Sequence, residues 1–161
     1  MSANKYEPHL VVLPEDDANA ALINGFLLFE GLNSRQVQVL PVAGGWQNAL
    51  QLFLDEHIPK LRQYNHRRFL LVIDFDSDLS RRDLVLQQIP NEVRDRAFVL
   101  GVFSEPEQLK SALNRRFEDI GRTLSQECFE NRHELWAHQL LVHNQTELTR
   151  LNQSVKDFLF P

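Results

Sequence analysis

The feature that most constrains the fold is Phe69-Leu70-Leu71-Val72-Ile73, a continuous apolar run that stops abruptly at Asp74-Phe75-Asp76-Ser77-Asp78. A short run with no polar alternation suits a strand covered on both faces, the usual situation in a parallel sheet. His9-Leu10-Val11-Val12-Leu13 repeats the pattern, closed by Pro14 and followed by Glu15-Asp16-Asp17. Residues 97–103 repeat it again, ending at Ser104-Glu105-Pro106-Glu107, and residues 37–42 give a shorter fourth strand.

Helical periodicity fills the gaps between these runs. Residues 18–32 carry Ala21, Leu22, Phe26 and Phe29 at helical spacing, with Asp16 or Asp17 placed to cap the free N–H groups. Gly44-Gly45 breaks the chain before residues 46–61, whose stripe is Leu50, Phe53, Leu54 and Ile58; Pro59 is expected to end or kink that helix. Residues 84–89 read as a short helix, and Pro106 suits the first turn of another that runs toward Phe117. From Ile120 onward nothing reads as a strand: residues 120–129 and 135–158 both have helical spacing. The expected architecture is α/β, a mainly parallel four-stranded sheet with helices on both faces over residues 10–110. A helical tail, 111–161, packs on it within a single domain.

Composition narrows the class. At 161 residues, 43% hydrophobic and 24% charged, the chain has ordinary globular proportions and enough length for a real core. No apolar run approaches the roughly 20 residues that cross a bilayer, and Met1 to Glu7 lacks the basic-then-apolar order of a signal peptide, so a cytoplasmic protein without membrane contact is expected. Cys128 is the lone cysteine, which excludes an internal disulfide, agrees with a reducing compartment and marks a small buried hydrophobe. The net charge of −5 argues against holding nucleic acid by bulk electrostatics, leaving Arg67-Arg68, Arg81-Arg82 and Arg115-Arg116 as local basic clusters.

The acids carry the functional expectation. Residues just past the carboxyl ends of parallel strands meet at one sheet edge, where ligands bind. Glu15, Asp16 and Asp17 follow the first strand, Asp74, Asp76 and Asp78 the third, and Glu105 and Glu107 the fourth. Converging carboxylates repel one another unless a cation lies between them, and hard oxygen ligands suit Mg²⁺ or Mn²⁺. Strand alternation would turn Asp74 and Asp76 to one side while Phe75 packs on the other. The expected metal ligands are Glu15, Asp17, Asp74, Asp76, Asp78 and Glu105, with Glu15, Asp74 and Asp76 at the chemical centre.

Leu10-Val11-Val12-Leu13 leading to Glu15, then Leu70 to Ile73 leading to Asp74-Phe75-Asp76, resembles a TOPRIM domain, the metal-binding fold of topoisomerases, primases and OLD-family nucleases. The resemblance covers about residues 10–110. It implies that Glu15, Asp74 and Asp76 hold the metal and that Mg²⁺- or Mn²⁺-dependent cleavage or transfer takes place at phosphodiesters. Glu105 and Glu107 loosely match later acids of the OLD-like relatives, and Asp16 stands where the family commonly has Gly. The segment Leu10 to Asn19 also looks like the opening of a response-regulator receiver. That likeness implies a non-catalytic signalling module with paired acids beside a phosphorylatable Asp74 and with Ser104 as its hydroxyl residue. A receiver needs a fifth strand ending in Lys, and none follows Phe103, so this reading ranks second.

Nucleic acid or a nucleotide is the expected partner, with a protein partner or a second copy docking through the helix at 135–159. His133, His138 and His143 lie in that tail; His138 and His143, five apart, fall about 140° around a helix and do not form a chelating i, i+4 pair. Packed or capping roles suit them better. Trp46 and Trp136 read as core or interface anchors.

Overall fold

A computed structural model describes residues 3–161; Met1 and Ser2, part of the segment read for a targeting signal, lie outside it. Four parallel strands form the sheet: β1 (His9–Pro14), β2 (Val37–Val39), β3 (Arg67–Val72) and β4 (Ala97–Leu100), in the order β2-β1-β3-β4. The α/β expectation therefore holds. Register runs from His9 opposite Arg67 to Pro14 opposite Val72, and every residue of β1 is buried, as its unbroken apolar run requires. Pairing continues past the formal end of β3, because the Ile73 and Phe75 N–H groups donate to Leu100 O and Val102 O. That extension delivers Asp74 to the sheet's carboxyl edge.

Helices cover both faces. Leu10, Val12, Leu70 and Phe98 pack against α1 (Asp17–Leu27), α6 (Phe117–Glu130) and α7 (Gln145–Leu159). Val11, Leu13, Phe69, Leu71 and Val99 pack against α2 (Trp46–Leu52), α3 (Ile58–Gln63) and α4 (Ser80–Gln87). A short α5 (Pro106–Leu113) opens at Pro106 as expected. No helix among the described residues is long and apolar enough to cross a membrane.

The α-helix is interrupted ahead of Pro59: a π turn over Phe53–His57 precedes it, the Ile58 N–H reaching Phe53 O, and this widened turn leads into a new helical segment with Pro59 in its first turn. Two local expectations need correction. The short helix sits at Ser80–Gln87, earlier than 84–89, since Asp78 accepts from Ser80 N at 3.0 Å and starts it there. The long helix begins only at Gln145, because buried Glu127 accepts from the N–H groups of Leu135 and Trp136 and holds that stretch in turns instead.

The outer edge of β4 explains why no fifth strand is needed. Asn144 accepts from Gly101 N at 3.1 Å and donates to Gly101 O at 2.9 Å; Glu147 accepts from Val99 N at 3.0 Å. Arg150 donates to Ala97 O at 3.0 Å while pairing with Glu147 at 2.9 Å. These three residues, spaced by three along the chain, satisfy with side chains the ladder groups that a neighbouring strand would otherwise take, and so close an aggregation-prone edge. Glu147→Ala should cost about 3 kcal/mol in urea unfolding, since it strips a buried N–H of its acceptor and Arg150 of its counter-ion. A loss under about 0.5 kcal/mol would show that the edge is held by packing alone.

Candidate metal centre

The strand order reverses direction between β1 and β3: the chain leaves β1 for β2 on one side and returns to β3 on the other. Such a switch point opens a crevice at the carboxyl ends of the two strands. Glu15 follows β1 there, its backbone N–H donating to Val72 O and its carbonyl accepting from the N–H groups of Gly44 and Gly45. Those glycines have φ of +82° and +125°, which only glycine adopts readily, so the Gly-Gly pair folds the chain back over Glu15 and starts α2 beside it.

Glu15, Asp16 and Asp74 each offer a carboxylate oxygen, all within 4.8 Å of one another. They form the one group of three or more potential ligands among the described residues. Glu15 is buried, and its Oε2 accepts from Asp74 N at 2.6 Å. Asp16 caps α1 by accepting from Asn19 N at 3.0 Å. Asn19, fully buried, then bridges two of the acids: its Nδ2 donates to Asp16 Oδ1 at 2.9 Å and to Asp74 Oδ1 at 2.8 Å.

The electrostatics register the crowding. Burial pushes the Asp74 carboxyl up to about 7, with Glu15, Asp16 and Glu107 adding like charge and the Asn19 bond pulling the other way. Burial also raises Glu15, assisted by Asp16 and opposed by the N–H groups of Asp74 and Trp46 and by Arg81. The nearest cation is on the rim: Arg81 donates to Asp74 O at 2.8 Å, stacks 4.7 Å over the Trp46 ring and lies 3.8 Å from an Asp76 oxygen.

The other expected acids stand apart from this cluster. Strand alternation ends at Phe75, because Asp76 and Ser77 take left-handed φ of +51° and +59°. The Asp76 side chain is 84% exposed as a result and faces Arg81. Asp17 lies exposed in the first turn of α1, Asp78 starts α4, and Glu105 and Glu107 are exposed at the start of α5. Asp16, expected at this edge as a helix cap and a peripheral member of the acidic group, takes the place in the cluster that Asp76 was expected to fill. Asn19 had no role assigned and Arg81 was expected only as half of a basic pair; the one legible signal for Asn19 was an amide three residues after a capping acid, where a side chain can reach back to the cap.

No protein-family model matches the chain, and no curated protein matches its sequence. The site therefore rests on its own geometry. The basic pairs do not build a second one: Arg68 bonds Ser154, Arg82 bonds His143 O, and Arg115 bonds Thr123. Two of the tail histidines are packed or capping, with His143 against Gly101 O at 2.7 Å and His138 accepting from Leu140 N, while His133 is exposed. Trp136 is buried with its N–H on Leu124 O, and burial lifts the Cys128 thiol to about 12, so neither is poised for chemistry.

Proposed function

We propose that Glu15, Asp16 and Asp74 hold Mg²⁺ or Mn²⁺ and that the protein uses it to cleave or transfer phosphodiesters of nucleic acid or a nucleotide. One observation carries this reading: three carboxylates from the ends of adjacent parallel strands lie within 4.8 Å at the switch point, and one of them is raised to about 7. That is a site short of positive charge. The donor set is all oxygen, which suits hard cations and disfavours zinc. A bound divalent ion would polarise a phosphoryl oxygen and lower the pKa of attacking water.

The chain's own residues supply the rest. Asn19 fixes the Asp16 and Asp74 carboxylates with one amide, so neither needs to reorient when ligand arrives. Glu15, raised by burial, is a stronger proton acceptor than an ordinary glutamate. Arg81, with Asp76 as its exposed partner, stands at the rim where an anionic ester would enter.

A second reading, a receiver-like binding module without catalysis, is favoured by the cluster's pairing of adjacent Glu15 and Asp16 with Asp74 and by the buried Ser104 hydroxyl beyond β4. Against it, Asn144, Glu147 and Arg150 occupy the edge where a fifth strand and its Lys would lie. Single-stranded and duplex DNA and RNA, incubated with Mn²⁺, separate the two. The proposal expects metal-dependent nicking that falls about a hundredfold or more in Glu15→Gln and Asp74→Asn, more than outer-shell changes usually cost. No cleavage, together with alkali- and hydroxylamine-labile labelling of Asp74 by acetyl phosphate, would establish the binding module instead.

A further inference from the structure

His9 opens β1 at the end of the sheet opposite the acidic cluster, and its side chain is fully buried. Two ring bonds fix its protonation. Arg67, opposite it on β3 and also buried, donates its Nε–H to His9 Nε2 at 3.0 Å. That nitrogen must be the bare one, so the proton sits on Nδ1, which donates to Glu7 O at 2.7 Å. The imidazole is neutral, and a second proton would meet an N–H that already fills its place.

The charges around the pair offer no relief. Burial holds the His9 pKa below the ordinary 6.5, and Arg67, Arg68 and His66 push it the same way, with the Glu7 carbonyl opposing. Arg67 lies 5.0 Å over the Tyr64 ring, which Lys5 approaches at 5.2 Å. On the π turn, His57 packs on Phe69 and feels the Arg67 charge, with Lys60 and Glu56 alongside. Arg96 donates to Arg67 O, and Ser154 of α7 holds Arg68. No carboxylate pairs with His9 or Arg67 among the described residues.

The segment ahead of His9 is tied to the body at few points. The N–H groups of Tyr6 and Glu7 both bond to Asn4, inside the segment, which leaves the Lys5–Tyr64 contact and His9 itself. His9 donates its backbone N–H to His66 O at 3.2 Å and pairs only with β3, whereas Leu10 pairs with both β2 and β3. An opening that starts at this end therefore has a stop at Leu10.

We infer that the His9–Arg67 bond is a proton-operated latch, closed at neutral pH and opened by acid, which frees residues 3–9 while the rest of the sheet stays paired. A proton on His9 sets two cations 3.0 Å apart in a buried place, so protonation and closure compete. The open state takes the proton at the ordinary 6.5, so closure is fully favoured above that pH and weakens as the pH falls below it. One proton per opening makes the open population rise about tenfold for each pH unit in that range. The latch does not depend on metal binding.

Amide exchange at His9 in the full chain tests it, each rate being divided by that of an unstructured chain at the same pH. Between about pH 6 and pH 5 the protection of His9 should fall about tenfold, while that of Leu71 in the middle of β3 stays constant. In His9→Gln the side-chain oxygen can still accept from Arg67 and takes no proton in this range, so protection at position 9 should not vary with pH. If that variant fails to fold, imidazole ¹⁵N NMR of the wild type decides: Nε2 must be bare at neutral pH and gain its proton in step with the lost protection. Constant protection at His9 across the range, or a proton on Nε2 at neutral pH, would overturn the latch. So would a matching loss at Leu71, which would mean that the whole fold opens.

Discussion

Asp74→Asn should make the apo protein more stable at pH 8, raising its melting temperature by several degrees. The Asp74 carboxyl titrates near 7 in the folded chain, against an ordinary value of 3.8. Between those two pH values the folded state holds a proton that the unfolded state has released, so stability falls as pH rises across the window. A shift of that size corresponds to a few kcal/mol, about 1.4 per unit, lost once the pH exceeds the folded value. The asparagine carries no charge there. It still offers an oxygen to the Asn19 Nδ2, and its own amide can face Glu15 or Asp16. The gain at pH 8, at about 2–4 °C per kcal/mol for a domain near this size, should vanish at pH 4, where both side chains are neutral. Thermal melts of both proteins across pH 4–8 check this, and parallel curves for wild type and variant would show that Asp74 is an ordinary exposed carboxylate.

Gly101→Ala should be among the most damaging single substitutions in the chain. Gly101 lies just beyond β4, where Ile73 passes so closely that an added Cβ would stand 1.8 Å from Ile73 O, with the Phe75 ring 3.2 Å away. The first obstacle is backbone in the middle of the sheet and cannot swing aside. Relief would have to come from parting β3 and β4, which would also disturb the Gly101 bonds to Asn144 and the Asp74 backbone one residue on. A cost of about 3 kcal/mol or more follows, toward the upper end for overpacking. The expected drop in melting temperature is roughly 6–12 °C. A variant that melts within a degree or two of wild type would mean the two strands separate easily.

The sheet was legible because its signals are local. Phe69 to Ile73 and Leu10 to Leu13 are buried on both faces, so each strand shows as an unbroken apolar run, and the acids that follow mark the carboxyl edge. The membership of the site was harder to read, since it depends on where alternation stops. Asp-Phe-Asp reads as two carboxylates on one side, yet a left-handed backbone at Asp76, unannounced by any glycine, turns the second one outward. Asp16 was legible as a cap, but a capping carboxylate has spare lone pairs, and whether they face other acids depends on the angle of α1 to the sheet. Asn144, Glu147 and Arg150 were invisible as edge covers because their partners lie some 40 to 50 residues away in sequence. Their period-three spacing looked like any polar helix face.

The central claim is that Glu15, Asp16 and Asp74 together form a cation site. Melting the wild-type protein at pH 8 with and without Mn²⁺ tests it without knowledge of the substrate. An ion that binds only the folded arrangement stabilises it by about 2.7 kcal/mol at roughly a hundred times Kd. The account predicts a rise of several degrees for wild type and little or none for Asp74→Asn. Superimposed wild-type curves in millimolar Mn²⁺ and in EDTA would contradict it.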